Sequence, residues 1–542
     1  MRSLLDDYQK NSKDFEDLGI KVPKFDKSKI ENTEENVPVW IHFGGGNLFR
    51  SFHALIGQSL INQGIMKSGI VVAEMYDDAV VNDVYHPYKN MFLSVTMNSD
   101  GSFDQELVAS VADSIFFNRD NLVGWNKLIK YFEQPELQLI TFSITEKGYA
   151  IKDMNGNLLP STLKDISGGP DYATTNMGAL TYLLYQRFQA GSKPLALVST
   201  DNFSENGKKL EDAVRVIAQG WVDNGFVGQT FLDYLFNSKK ISFPWSMIDR
   251  ITPNPSEKVA KLLHDEGFED TEIVHTKKHT NIAPFGNTEE THYLVIEDDF
   301  PNGRPDLSKA GVILTNRETV NNVDQMKVTA LLNPLHTGLA IYGTLLRISS
   351  ISLELKDNDL KKLITTLGYD EDLPVVIDPK VINPKEFLDQ LIQKRLPNPN
   401  IPDTPQRIAT DTSQKVGIRY GVTIKNYLSS NELSVDTLEA IPLIIAGWFR
   451  YLLAVDDDGK ELELSSDPLL ENLQNSLNGI ELGEKDIDIV KNKVWPILAN
   501  KEIFGVDLTT TVLSEKILHR FMQLLSGPGA VRQTLHAFAI ER

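Results

Sequence analysis

The stretch Val37-Pro38-Val39-Trp40-Ile41-His42-Phe43-Gly44-Gly45-Gly46-Asn47-Leu48-Phe49-Arg50 decides the fold. Its first seven residues, rich in β-branched and aromatic side chains, predict a buried strand that ends on three glycines. Downstream, 51–65 has helical spacing, with Ala54, Leu55, Leu60 and Ile61 on one side, and Gly69-Ile70-Val71-Val72-Ala73-Glu74 predicts a second strand. Strand, glycine turn, helix, strand is the order of a parallel α/β unit. A glycine turn at that point lets the backbone bend tightly and leaves the helix N-terminus open to a dinucleotide pyrophosphate. Phe49 stands where the usual third glycine would be, so on this motif alone a turn that merely ends a strand is an equal reading.

The acids after the second strand add weight. Glu74 closes it, and Asp77 and Asp78 follow. A carboxylate here accepts bonds from the adenosine ribose hydroxyls and repels a 2′-phosphate. No arginine or lysine lies within 69–88 to receive such a phosphate, which favours NAD over NADP. The candidate cofactor residues are Gly44, Gly46, Asn47, Phe49, Arg50, Glu74 and Asp77.

Further apolar runs recur at 138–144 and 194–200 with helical stretches between them, which predicts a doubly wound sheet rather than a meander. The stretch 284–315 changes character, with 297–315 turn-rich and ending in a strand, and from about 320 the pattern is mainly helical, as at 325–348, 436–454 and 509–525. The expected fold is therefore α/β: a Rossmann-type doubly wound domain over 1–317, then a mainly α-helical domain over 318–542. The proline-rich segment 393–405 is expected to be an ordered loop.

A chain of 542 residues is too long for one ordinary core. With 41% hydrophobic and 24% charged residues it has the composition of a globular protein. Its formal net charge of −20 would repel a phosphodiester backbone, so nucleic acid is not an expected partner. There are 0 cysteines, which excludes disulfides, thiolate catalysis and every Cys-ligated metal site. The histidines show neither H-E-x-x-H nor ligand spacing, so no metal is expected. The opening residues are polar, and no apolar run reaches the ~18 residues of a membrane helix, so a cytoplasmic protein with no membrane partner is expected.

The second candidate site lies in Asp324-Gln325-Met326-Lys327-Val328-Thr329-Ala330-Leu331-Leu332-Asn333-Pro334-Leu335-His336. On a helix Asp324 neighbours Lys327, and Asn333 neighbours His336; Pro334 would kink or break that helix. A buried lysine that loses its proton near neutral pH is a general base for an alcohol. An asparagine amide can steady the alkoxide, and a neutral histidine can hold a hydroxyl. From these residues alone the bland alternative is a surface lysine, a capping asparagine and a core histidine.

Seven ordered segments carry a resemblance: HFGGGNLFR at 42–50, SITEKGY at 143–149, STDNFSENG at 199–207, MIDRITP at 247–253, YLVIED at 293–298, MKVTALLNPLH at 326–336 and RIATDTSQK at 407–415. Together they are similar to the polyol-specific long-chain dehydrogenase/reductase family, from about residue 37 to at least 450. The resemblance implies a Rossmann-type domain, a helical domain and a site between them. It implies Lys327 as general base, Asn202 and Asn333 holding the developing alkoxide, and His336, Arg407 and Lys415 binding substrate oxygens. Glu146 and Asp324 would relay the proton. NAD would be the cofactor, and a small sugar acid or polyol the partner. One departure stands out. The lysine is followed by asparagine and histidine at spacings of six and nine, each one residue longer than the family usually has. A bulge near Pro334 would reconcile them.

Within the family, HTNIAPFGNTEETHYLVIEDDFPNGRP and LLNPLHTGLAIYG look more like the branch that reduces keto-sugar acids than the branch that oxidises hexitols. The rival classes are an NAD-linked sensor without catalysis and an isomerase that keeps its cofactor. Asp201-Asn202 also reads as an ordinary turn. His275, Lys277, Lys278 and His279 form a basic cluster, read as a solvated loop or as an attractor of anionic substrate.

Overall fold

Pro38 has no N–H for a ladder bond, and the first strand starts only beyond it. In the computed structural model, which describes residues 1–31, 37–153 and 155–542, β1 is Trp40–Phe43, shorter than the strand expected over 37–43. The other strands of its sheet are β2 Ile70–Glu74, β3 Val111–Phe116, β4 Leu139–Phe142, β5 Leu195–Ser199 and β6 Ile241–Ser242. Their order is β3-β2-β1-β4-β5-β6, and every pairing is parallel. The chain runs out to β3 on one side of β1 and restarts at β4 on the other. The switch point of this doubly wound sheet, where ligands bind beyond the strand ends, therefore lies between β1 and β4.

All residues of β1, β2, β4 and β5 are buried, as a sheet covered on both faces requires. Alternation along the strands divides them. Ile41, Phe43, Val71, Ala73, Ile140 and Phe142 join one core with helices Leu122–Glu133, Asn176–Gln189 and Asn206–Asp223. Trp40, Ile70, Val72, Leu139 and Val198 join the other with helix α1, Ala54–Asn62. Ahead of the turn-rich region, residues 274–282 form the antiparallel hairpin of Val274–His275 and Asn281–Ile282.

The chain forms two compact units, Met1–Asn98 with Ser102–Asn321, and Ser99–Gly101 with Asn322–Arg542. Among the described residues the second unit holds helices and no strand beyond an isolated bridge between Val455 and Glu461. Its centre is built on α2 Leu332–Leu345, α3 Ala440–Leu452 and α4 Leu513–Leu524. All of α3 is buried, so its N-terminal N–H groups need partners inside the protein. The Glu371 carboxylate accepts from the backbones of Glu439, Ala440 and Ile441 at 2.6, 2.6 and 2.9 Å. Tyr342 on α2 donates to the Leu443 carbonyl at 2.7 Å. Gly447 makes room for that ring, because a Cβ there would lie 2.6 Å from it. Among the described residues no helix is long and apolar enough to cross a membrane.

Candidate active site

The glycine turn follows β1 directly. Gly44 has φ +104°, and a Cβ on it would lie 2.3 Å from the Ser143 carbonyl oxygen, so only glycine fits. Around Gly46 a Cβ would meet nothing within 4 Å. That open space faces the start of the helix formed by a π-helix, Phe49–His53, and α1. A backbone that turns tightly under a helix N-terminus with free approach is the cradle a pyrophosphate requires, and a dinucleotide fits here. Phe49, at the usual third glycine, points into the core and packs its ring 4.5 Å from His42. Arg50 is buried, bonded to the Ala283 carbonyl and to Asn47 Oδ1. Burial pulls its guanidinium down to about 10, which leaves it cationic at neutral pH.

Glu74, expected as a ribose acceptor, has its carboxylate engaged by backbone of both loops. Its Oε2 accepts from Gly45 N–H at 2.8 Å, and its Oε1 from the N–H groups of Met75, Tyr76 and Asp77 at 3.1, 2.8 and 3.3 Å. Each carboxylate oxygen has two acceptor positions, so backbone saturates Oε1 and takes one position on Oε2. Asp77 is buried and accepts from Thr276 Oγ1 at 2.6 Å and Ala79 N–H at 3.2 Å. Asp78 is exposed. The basic cluster expected to be a solvated loop is the hairpin that supplies Thr276. Its Lys278 Nζ donates to the Tyr76 carbonyl and lies 5.1 Å from the Tyr76 ring centroid.

At the ends of β4 and β5 the structure joins two segments that sequence reading treated apart. Asp201 accepts from the N–H groups of Ile144 and Thr145, both at 2.9 Å, and from Tyr149 Oη at 2.6 Å. Thr145 has φ +63°, so this turn is held in a conformation that side chains disfavour. Glu146 follows on a short 3-10 turn, exposed and paired with Lys209. Asn202 is exposed on the next residue after Asp201. Burial raises the Asp201 carboxyl and, more strongly, the Tyr149 phenol. Asp201 is thus a turn residue in sequence but a clamp in space.

Lys327, Asn333 and His336 lie on one continuous helix, in which Arg317–Gln325 is α-helical and Met326–Leu331 is a π-helix leading into α2. The reason is local. Pro334 lacks an N–H, and its ring crowds the carbonyl four residues back, at Ala330. A wide turn just before it relieves that crowding and absorbs one residue. On a regular helix a spacing of nine turns His336 about 180° away from Lys327, while absorbing one residue leaves about 80°. The π-helix therefore compensates the longer spacing. Lys327 is buried at 2% exposure. Asn333 and Asp324 are half-buried.

His336 lines a small cavity with Ser352, Arg395, Asn398 and Asp403. Burial drives its imidazole down to about 4. Asp403 opposes the fall, and the guanidiniums of Arg395, Arg419 and Arg407 add to it. His336 is therefore neutral at physiological pH. Arg407 is exposed and bonded to Asp403, and Lys415 is half-buried with Nζ on the Thr410 carbonyl. Burial, and then the charge of Arg419, lowers the Lys415 ammonium. Arg419 donates to Thr337 Oγ1, one residue after His336. Sequence reading missed Arg395, Arg419 and Asp201. The available signal was an arginine inside an apolar, proline-rich stretch: Arg395 ends the π-helix Leu391–Arg395 and is 3% exposed. Among the described residues no group of three or more His, Asp or Glu could hold a metal ion.

A parallel sheet of this order, with a glycine turn at its switch point, followed by a helical unit with a buried lysine, defines a Rossmann-type oxidoreductase of two-part build. Residues 39–309 match the mannitol dehydrogenase Rossmann domain, and residues 319–525 match the mannitol dehydrogenase C-terminal domain. The chain belongs to the mannitol dehydrogenase family and is a dehydrogenase acting on a CH–OH group. It is 48% identical to the D-mannonate oxidoreductase of Thermotoga maritima over 96% of this chain and 96% of that one. It is 26% identical to the mannitol 2-dehydrogenase of Emericella nidulans over 95% and 94% of the two chains. Among solved structures, D-sorbitol dehydrogenase in substrate-free form matches with a TM-score of 0.78 at 21% identity, over 95% of this chain and 97% of that one. The Pseudomonas fluorescens mannitol 2-dehydrogenase in ternary complex with NAD and D-mannitol matches at 0.67 and 24%, over 97% of both chains. These two likenesses establish the fold alone.

Proposed function

We propose that this protein is a cytoplasmic, metal-independent, NAD-dependent reductase of a keto-sugar acid, interconverting D-fructuronate and D-mannonate. The observation that carries the acid over the polyol is the set of guanidiniums whose charge reaches His336: Arg395, Arg419 and Arg407. A chain of net charge −20 that gathers three guanidiniums against the one carboxylate of Asp403 around a neutral imidazole keeps a surplus of positive charge suited to a substrate carboxylate, which pairs with guanidinium through charge-assisted bonds. The name of the Thermotoga maritima relative supports the same reading.

In this reading the first part of the chain, to about residue 317, holds the dinucleotide through Gly44, Gly46 and Asn47, and the part from 318 onward carries the substrate chemistry. The bound nicotinamide supplies or removes the hydride. Lys327 Nζ gives a proton to the carbonyl oxygen on reduction and takes it from the alcohol on oxidation. The amides of Asn202 and Asn333 donate to that oxygen as it gains charge. His336, neutral, holds a neighbouring hydroxyl. Arg407 and Lys415, with Arg395, hold the carboxylate, and Glu146 and Asp324 pass the proton to water.

The test is NADH oxidation with D-fructuronate, D-tagaturonate and D-fructose in parallel. Preference for fructuronate is expected. Preference for tagaturonate would shift the assignment within the keto acids, and preference for fructose would make the protein a hexitol dehydrogenase. Silence with all three would overturn the enzymatic reading in favour of a sensor.

A further inference from the structure

The adenosine end of the cofactor site holds a contradiction for strict NAD use. Discrimination against a 2′-phosphate rests on a carboxylate free to bond the ribose hydroxyls and repel the phosphate. Here Glu74 accepts four backbone N–H groups, three of them on Oε1, and Asp77 is buried and bonded to Thr276 and Ala79. Asp78 alone of the three acids is exposed. Against it stands the tip of the 274–282 hairpin, with Lys277, Lys278 and His279 all exposed. That tip is fixed to the acid-bearing loop rather than merely near it. Thr276 bonds Asp77, Lys278 bonds the Tyr76 carbonyl, and the hairpin closes on itself through Thr276 N–H to the Thr280 carbonyl at 3.0 Å. His279 has φ +63°, a tight reversal that turns the tip back toward Thr276, whose carbonyl accepts its N–H at 3.0 Å.

We infer that the enzyme takes NADP(H) as well as NAD(H), the 2′-phosphate being held by Lys277 and Lys278 at the hairpin tip beside the Tyr76–Asp78 loop. The inference rests on the dinucleotide reading of the glycine turn. The lack of a basic residue within 69–88 does not oppose it, because the cations come from a segment distant in sequence. A phosphate monoester carries about two negative charges and draws ammonium groups by charge-assisted bonds.

The test uses the full chain and two probes, 5′-AMP and 2′,5′-ADP, titrated calorimetrically, with NADH and NADPH oxidation measured alongside. The expected result is that 2′,5′-ADP binds at least as tightly as 5′-AMP. Lys277→Ala, and the double variant with Lys278→Ala, should lower the ratio of the two affinities by roughly tenfold or more. The kcat/KM ratio of NADPH to NADH should fall in step. Lys277→Ala guards the result, since the Lys277 side chain is exposed and the hairpin is tied to the Tyr76 loop through Thr276 and Lys278. Binding of 5′-AMP without 2′,5′-ADP overturns this inference and leaves the NAD reading standing, as does a variant that weakens both probes equally. Failure of both probes overturns the dinucleotide reading and this inference with it.

Discussion

The N–H of Gly45 donates to Glu74 Oε2 at 2.8 Å, so the glycine turn after β1 and the acid loop after β2 share one carboxylate. The other oxygen of that carboxylate collects the N–H groups of residues 75–77. Glu74→Gln replaces an acceptor by an NH2 donor facing N–H donors. Affinity for 5′-AMP is expected to fall by roughly tenfold or more, since a charged acceptor of several bonds is lost. Calorimetric titration checks it. Unaltered affinity would mean that the two loops keep their shape without the shared carboxylate.

Lys327 lies in the second unit, apart from the glycine turn in sequence and in unit. Lys327→Ala should lower kcat by roughly 10²–10⁴, the usual worth of a general acid–base group. NADH binding, read by fluorescence titration, should persist. Turnover equal to the parent protein at every pH would remove the lysine from the mechanism.

Arg395 reaches the His336 cavity from the proline-rich segment. Arg395→Gln is expected to raise KM for D-fructuronate by roughly tenfold or more, with a smaller change for D-fructose, because a charge-assisted bond to a carboxylate is lost. Steady-state kinetics with both substrates decide the matter. An equal effect on both would assign Arg395 a purely structural part, and a thermal melt of the variant separates that from misfolding.

Three buried histidines make the fold acid-sensitive. Burial holds His53 down at about 3, His336 at about 4, and His42 well below the usual 6.5. Below pH 6.5 the unfolded chain binds protons that the folded chain refuses. The stability from neutral burial is therefore complete above pH 6.5 and drains as pH falls toward 3. For His53 the full effect is on the order of 5 kcal/mol. Urea melts between pH 4 and 8 should show stability falling with acid, and His53→Gln should flatten the fall. A slope unchanged by that substitution would place the acid sensitivity elsewhere.

One carboxylate, Glu371, accepts from the first N–H groups of the buried helix α3. Glu371→Ala should cost about 2–4 kcal/mol, since several buried donors lose their partner at once. Chemical denaturation at neutral pH measures it. A loss under 1 kcal/mol would show that water reaches the helix end.

What the sequence by itself determined is what depends on near neighbours along the chain. The run through Phe43, the three glycines and the second strand at Ile70–Glu74 read correctly because strand and helix periods are local, and even the missing start of β1 traces to one proline. The mainly helical character past residue 320 was legible for the same reason. The extra residue between Lys327 and Asn333 was visible too, but only the helix geometry shows it taken up as a π-turn ahead of Pro334. Tertiary structure alone decided which polar groups are free and which are already spent. Glu74 looked like a free carboxylate and is bonded by backbone of both loops; Asp201 looked like a turn residue and clamps the Thr145 turn. Arg395 and the hairpin tip at Lys277 reach their places only through long-range folding. Hydrogen bonds saturate and charges act through space, so the role of a polar side chain is fixed by partners that the linear sequence does not place beside it.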